Sequence, residues 1–160
     1  MASNRLEKKD YLKTSLRAFF LQNGFNYGNY QGLGYANVMY PALRKLYKDD
    51  DDKLQEALRE NIEFFNTNIH FLPFITSLHL VMLENKTPSK EIRNIKMALM
   101  GPLAGIGDTI DGGVVTPLLL TLFIGITNTG NIMGVIGYII VEALFMWTIY
   151  WQSYKLGYEK

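Results

Sequence analysis

Apolar residues recur at helical spacing through the first hundred positions of this chain and then close into nearly unbroken runs. In YLKTSLRAFFLQNGF (residues 11–25), Leu12, Leu16, Phe19 and Phe20 fall on one helical face with Lys13 and Arg17 beside it, and Asn23-Gly24 ends the element. Such a face fits the protein's own core, or a membrane surface with its basic residues among headgroups. Taken without the rest of the chain, it points to the core. Residues 49–67 predict a second helix: an acidic first turn precedes Leu54, Leu58, Ile62 and Phe65 at spacings of four, four and three. Pro73 opens a third helix ending near Leu83. After Asn85-Lys86-Thr87-Pro88 a fourth begins, with Thr87 as cap, Pro88 at its first position, and Ile92, Ile95, Leu99 and Met100 on its apolar face.

The last third has a different rhythm. IMGVIGYIIVEALFMWTIYW (residues 132–151) carries one charge in 20 residues, enough helix for a hydrocarbon core of about 30 Å. Trp147, Tyr150, Trp151 and Tyr154, followed by Lys155 and Lys160, form an interfacial belt with a basic flank. Glu142 falls near the middle, where a carboxylate must face protein or water and pair with a polar group. Residues 98–127 are too apolar for a surface helix, and six glycines and two prolines predict a broken span with Asp108 in the break and Asp111 one turn beyond. Small residues at 101–107 serve close helix packing or a ligand site equally well. Residues 113–127 would cross outward, 128–131 turn, and 132 onward return, leaving Arg93, Lys96, Lys155 and Lys160 together on the cytoplasmic side.

Charge sharpens this division. Residues 1–96 hold 14 Lys/Arg and 11 Asp/Glu, whereas residues 97–154 hold no Lys or Arg and only Asp108, Asp111 and Glu142. A net charge of +1 argues against nucleic acid, and zero cysteines exclude disulfides, thiolate metal sites and a cysteine nucleophile. MASNRLEKKD contains no apolar stretch of the kind a cleavable signal needs.

Candidate chemistry is sparse. NYGNYQGLGYANVMY (residues 26–40) fits neither GxGxxG nor a Walker loop; it reads as an irregular loop, a glycine-bearing helix with packed tyrosines, or a loop whose amides and phenols face sugar hydroxyls. Asp49, Asp51 and Glu60 stand at calcium-loop positions, but Leu54 replaces the required glycine. His70 and His79 lack metal-ligand spacing and read as packing residues.

Three segments, LRAFFLQNGFNYGNYQGLGYANVMYPALRKLY, ENIEFFNTNIHFLPFITSLHLVMLE and IKMALMGPLAGIGDTIDGGVVTPLLL, resemble the IID membrane subunit of the mannose/fructose/sorbose class of bacterial sugar phosphotransferase systems. The GPLAGIGD run is the most distinctive, and the segments cover most of the chain. The resemblance implies a multi-pass subunit of the bacterial inner membrane with a cytoplasmic N-terminus. It would be surrounded by membrane lipid and paired with a IIC subunit in a trimer of IIC/IID pairs. It also implies a hexose substrate phosphorylated by histidines of IIA and IIB, with IIB docking from the cytoplasm and no cofactor or catalytic residue here. Members usually have a longer C-terminal half, so a shortened assembly subunit that binds IIC without transporting sugar is the alternative.

The expectation is therefore an all-α membrane protein: amphipathic, cytoplasmic or interfacial helices (residues 1–96) followed by a broken, discontinuous transmembrane hairpin (residues 97–160). Asn26, Gln31, Asn66 and Asp108 are the candidate sugar-path residues, because neutral amides and one carboxylate can pair hydroxyl groups without demanding charge on the ligand.

Overall fold

A computed structural model describes residues 5–159. Seven α-helices follow one another: α1 (Lys8–Arg17), α2 (Gly32–Leu46), α3 (Asp51–Asn61), α4 (Leu72–Glu84), α5 (Ser89–Asp108), α6 (Thr116–Thr127) and α7 (Met133–Tyr158). A 3₁₀ segment (Ala18–Gly24) extends α1, and a π-helical segment (Thr109–Val115) joins α5 to α6. Among the described residues, β pairing is confined to the isolated bridges Asn26↔Tyr30 and Tyr30↔Phe65.

The ends of the helices follow from local chemistry, not always as the spacing predicts. Asp50 caps α3 by accepting the Lys53 N–H at 3.0 Å, and Asp51 and Asp52 add negative charge to its first turn. The helix then stops at Asn61, short of the expected 67. Its exit strand lies against Gly32, where a Cβ would sit 2.1 Å from the Glu63 carbonyl oxygen. Residues 62–68 leave the helical path, so Ile62 is exposed while Phe65 is buried beside Tyr35, ring centroids 4.6 Å apart. Pro73 lies in the first turn of α4 as expected. Thr87 does not cap α5; its N–H is spent on the Met82 carbonyl at 3.0 Å, and extended Pro88 holds the cap position.

α1 to α4, the lower part of α5 and the last turns of α7 enclose one core around Tyr35, Met39, Leu43, Leu72, Ile75 and Leu80. α7 contributes the face Met146, Tyr150, Ser153, Tyr154 and Gly157; a Cβ on Gly157 would lie 2.6 Å from the Phe74 carbonyl oxygen. α1 runs antiparallel beside it: Tyr11 meets Tyr158, the Tyr150 hydroxyl donates to the Ser15 carbonyl, and Phe19 stacks on Tyr150. The face of α1 turned to the core is therefore Tyr11, Thr14, Ser15 and Ala18. Of the apolar face that spacing assigns to the core, Leu12 packs there half-buried, whereas Leu16, Phe19 and Phe20 are exposed.

Above this bundle α6 and α7 project as a hairpin. The expected interruption of residues 98–127 is present in the hydrogen-bond pattern rather than in the path: Ser89–Thr127 is helical throughout its 39 residues. Backbone groups at membrane depth have no water to turn to, so Gly and Pro are absorbed within a helix by local widening. Gly112-Gly113 supply the freedom and Pro117 lacks the N–H that a regular turn would use. Gly130, at φ 78°, turns the chain, and Gly134 and Gly137 let α7 approach Thr127 and Phe123. Both long apolar helices lie outward: none of the most apolar stretch of Ser89–Thr127 and 17% of that of Met133–Tyr158 is buried. Core helices of a water-soluble protein would be covered.

Candidate functional site at the root of the hairpin

The extended segment after α3 delivers polar groups to the point where the hairpin leaves the bundle. Asn68 donates from Nδ2 to Asp108 Oδ1 at 2.9 Å, while its own Oδ1 accepts the His70 N–H at 2.9 Å. This approach depends on Gly107 in the GPLAGIGD run, since a Cβ there would stand 2.4 Å from Cβ and Cγ of Asn68. His70 Nε2 lies 3.9 Å from Asp111 Oδ2. Burial lowers the His70 pKa below its ordinary value, against the opposing pull of Asp111 and Glu142.

From there the polar track crosses the hairpin. Thr116 Oγ1 is 2.6 Å from Glu142 Oε1 and 3.2 Å from Asp111 Oδ1, with a single proton to share between the two carboxylates. The mid-helix acid thus finds the polar protein partner its position demands. Glu142 Oε2 and His70 Nδ1 are buried without a hydrogen-bond partner. Three carboxylates, an imidazole and a hydroxyl therefore line one side of the molecule with hydrogen-bonding capacity to spare.

Of the four expected sugar-path residues, three converge on residues 66–68. Gln31 is buried and clamps Thr67, donating from Nε2 to its carbonyl at 3.1 Å and accepting its N–H at Oε1 at 2.8 Å. Asn66, between two buried neighbours, is exposed, and Asp108 is exposed on the facing helix. Asn26 is turned to its own loop instead: Nδ2 donates to the Gly24 carbonyl at 3.1 Å and to Asn29 Oδ1 at 2.6 Å, and Oδ1 accepts the Gly28 N–H at 3.0 Å. That loop holds Tyr30 at φ 55°, a left-handed conformation unusual for a bulky residue, through its paired hydrogen bonds with Asn26. Asn68 and Thr116 were not singled out by the sequence, and His70, read there as a packing residue, instead lies beside Asp111. The signal for Asn68 was its place in FFNTNIH, but nothing in spacing separates it from Asn66.

A second polar group fixes the segment from below. Lys96 Nζ pairs with Glu63 Oε1 at 2.9 Å and lies 5.0 Å from the centre of the Tyr35 ring, while Arg93 Nε meets Glu63 Oε2 at 2.5 Å. Burial raises the Glu63 pKa, but the two cations outweigh it and hold the carboxyl below its usual range. Lys96 is thereby an internal charge, 3% exposed, rather than a headgroup contact. Lys160, expected beside it on the same side of the membrane, lies outside the described residues.

Fold and site together define an α-helical integral membrane protein with a polar track at the root of an apolar hairpin. The model of the PTS system mannose/fructose/sorbose family IID component matches residues 5–160, and the chain belongs to that family. It is 32% identical over 161 residues to the mannose-specific EIID component of Escherichia coli (strain K12), covering 98% of this chain and 57% of that protein. To the fructose permease IID component of Bacillus subtilis (strain 168) it is 36% identical over 166 residues, covering 98% and 58%. The fold superposes on a cryo-EM structure of the mannose transporter ManYZ with microcin E492 at a TM-score of 0.91 and 31% identity, covering 97% of this chain and 58% of that one. The chain thus spans little more than half the length of the relatives it matches.

Proposed function

We propose that this chain serves as the IID membrane subunit of a phosphoenolpyruvate-dependent sugar phosphotransferase system and forms, with a IIC partner, the path for a mannose-type hexose. The observation that carries the reading is the polar track from Asn68 and Asp108 through His70, Asp111 and Thr116 to Glu142, set where an exposed apolar hairpin meets the bundle. Hexose hydroxyls would meet Asp108 and Asn66, with Gln31 holding the segment that carries Asn66 and Asn26 shaping the loop beside it. Phosphorylation falls to IIA and IIB, with IIB docking on the bundle side and the IIC/IID pairs assembling as a trimer. Arg93 and Lys155 lie at the bundle end of the hairpin and residues 128–131 carry no charge. This supports a multi-pass chain in the bacterial inner membrane with the bundle and N-terminus in the cytoplasm.

Asp108→Asn and Asp108→Leu, each assembled with IIC and supplied with phosphorylated IIB, test the site through uptake of radiolabelled mannose. The expected result is a loss of about tenfold or more for Asp108→Leu, as a charged hydrogen bond to the sugar disappears, and a smaller loss for Asp108→Asn. Unchanged uptake by both removes Asp108 from the path. If the chain co-purifies with IIC yet leaves its hexose affinity unaltered, the function is that of a shortened assembly subunit.

A further inference from the structure

α1 and the 3₁₀ segment after it carry more apolar surface than the bundle covers: Tyr11 and Leu21, at 3 and 0% exposed, face the core, and a second apolar patch does not. The two elements also turn Thr14, Ser15 and Ala18 into the bundle, each no more than 1% exposed, and leave Leu16, Phe19 and Phe20 at 42, 46 and 55%. A segment in contact only with water and its own core would not leave three such adjacent side chains uncovered. The exposed side chains are not scattered. Phe19 lies parallel to Trp147 at 6.3 Å and to Tyr150 at 4.6 Å, which places the α1 patch against the aromatic belt of α7.

We infer that α1 and the 3₁₀ segment after it form a lipid-facing anchor, in which Leu16, Phe19 and Phe20 enter the interfacial zone of an anionic bilayer as a lateral extension of the α7 belt. Two observations choose lipid over protein as the occupant. The patch is continuous with Trp147 and Trp151 near the end of a helix long and apolar enough to span, where such side chains mark the headgroup level. Cations flank it on both helices: Lys13 is exposed on α1, and Lys155 lies 5.9 Å from the centre of the Trp151 ring. Arg17 completes the rim with its guanidinium tied back to Asn37 at 3.0 Å. The bundle is then not a body hung below the membrane but one whose α1 edge is sunk into it.

The chain has no cysteine, so single nitroxide labels can be placed at Phe20→Cys, at Ile124→Cys in the hairpin and at Glu91→Cys below it, in nanodiscs of phosphatidylcholine with a quarter phosphatidylglycerol. The ratio of collisions with oxygen to collisions with a water-soluble nickel chelate should be several-fold higher at position 20 than at 91 and should approach that at 124. A ratio at 20 equal to that at 91 overturns the anchor. Shielding from both reagents with an immobilised spectrum also overturns it, because a second copy or a protein partner then covers the patch. Lipid contact at 124 without it at 20 refutes the anchor alone; absence at both refutes the spanning hairpin as well. A milder variant, Phe20→Trp with Trp147→Phe and Trp151→Phe, reads the same contact. Bromine-substituted phosphatidylcholine should remove most of its emission, and unquenched emission counts against the anchor.

Discussion

Within the bundle, Tyr35, His79, Lys96 and Glu63 are buried or nearly so and each has a partner: the Tyr35 hydroxyl meets His79 Nδ1 at 2.9 Å, and Lys96 meets Glu63 at 2.9 Å. In the hairpin the reverse holds. Leu118, Leu122, Ile139 and Leu144 stand open, and the acidic side chain of α7 at mid-span is turned to Thr116. One region withdraws apolar surface from water around a few satisfied polar groups. The other keeps its polar groups on one side and offers apolar surface to whatever surrounds it. Exposure that would signal instability in the bundle is, in the hairpin, the expected face of a helix whose medium is hydrocarbon.

Glycines expose the contrast most sharply. A Cβ at Gly34 would lie 1.8 Å from the Leu21 carbonyl oxygen, backbone against backbone, so Gly34→Ala should destabilise the bundle by about 3 kcal/mol or more as α2 and the 3₁₀ segment are forced apart. A drop in the thermal midpoint in detergent micelles reads this out; an unchanged midpoint would mean that the two elements do not touch there.

An intermediate effect comes from His79. Burial, aided by the charge of Lys96, pushes its pKa down to about 3. The unfolded chain therefore takes up a proton first, near its ordinary value of about 6.5. Stability is intact above that pH and is lost as the pH falls from there towards the folded value, by about 2 kcal/mol on reaching about pH 5. His79→Gln, which retains a hydrogen bond to Tyr35, should flatten most of this slope, leaving the same-signed contribution of His70, whose pKa burial also lowers. Identical slopes in the two proteins would show that the ring titrates freely in the fold.

The smallest change is expected on the outward face of α5. A Cβ at Gly101 meets nothing within 4 Å, so Gly101→Ala should raise stability by about 0.5–1 kcal/mol through helix propensity alone. A loss instead of a gain, in the same melting experiment, would reveal that another surface already packs there and that this part of the helix is not lipid-facing.

Much of the architecture was legible before any coordinates. The turn at residues 128–131 and the acidic start of α3 are local properties, and each appears where expected. Legibility failed where a residue's neighbours came from far along the chain. Leu16, Phe19 and Phe20 carry a helical period that says one face is apolar but not which medium it meets; Tyr150 and Trp147, more than a hundred residues away, decide that. Asn66 and Asn68 are indistinguishable by composition, and only the approach of Gly107 selects Asn68 for Asp108. The glycines and prolines of residues 98–127 indicate weakness in a helix, yet the chain stays helical because no alternative satisfies its backbone.

By itself the sequence determined that helices would form, where polarity gives way to a long apolar stretch, and which acids would need shelter. These follow from period and composition over a few turns, which no distant contact can alter. The tertiary structure alone decided which face of α1 is inside, which amide meets Asp108 and that Lys96 is an internal charge. Each of these is a choice between surfaces that are locally equivalent and differ only in what packs against them.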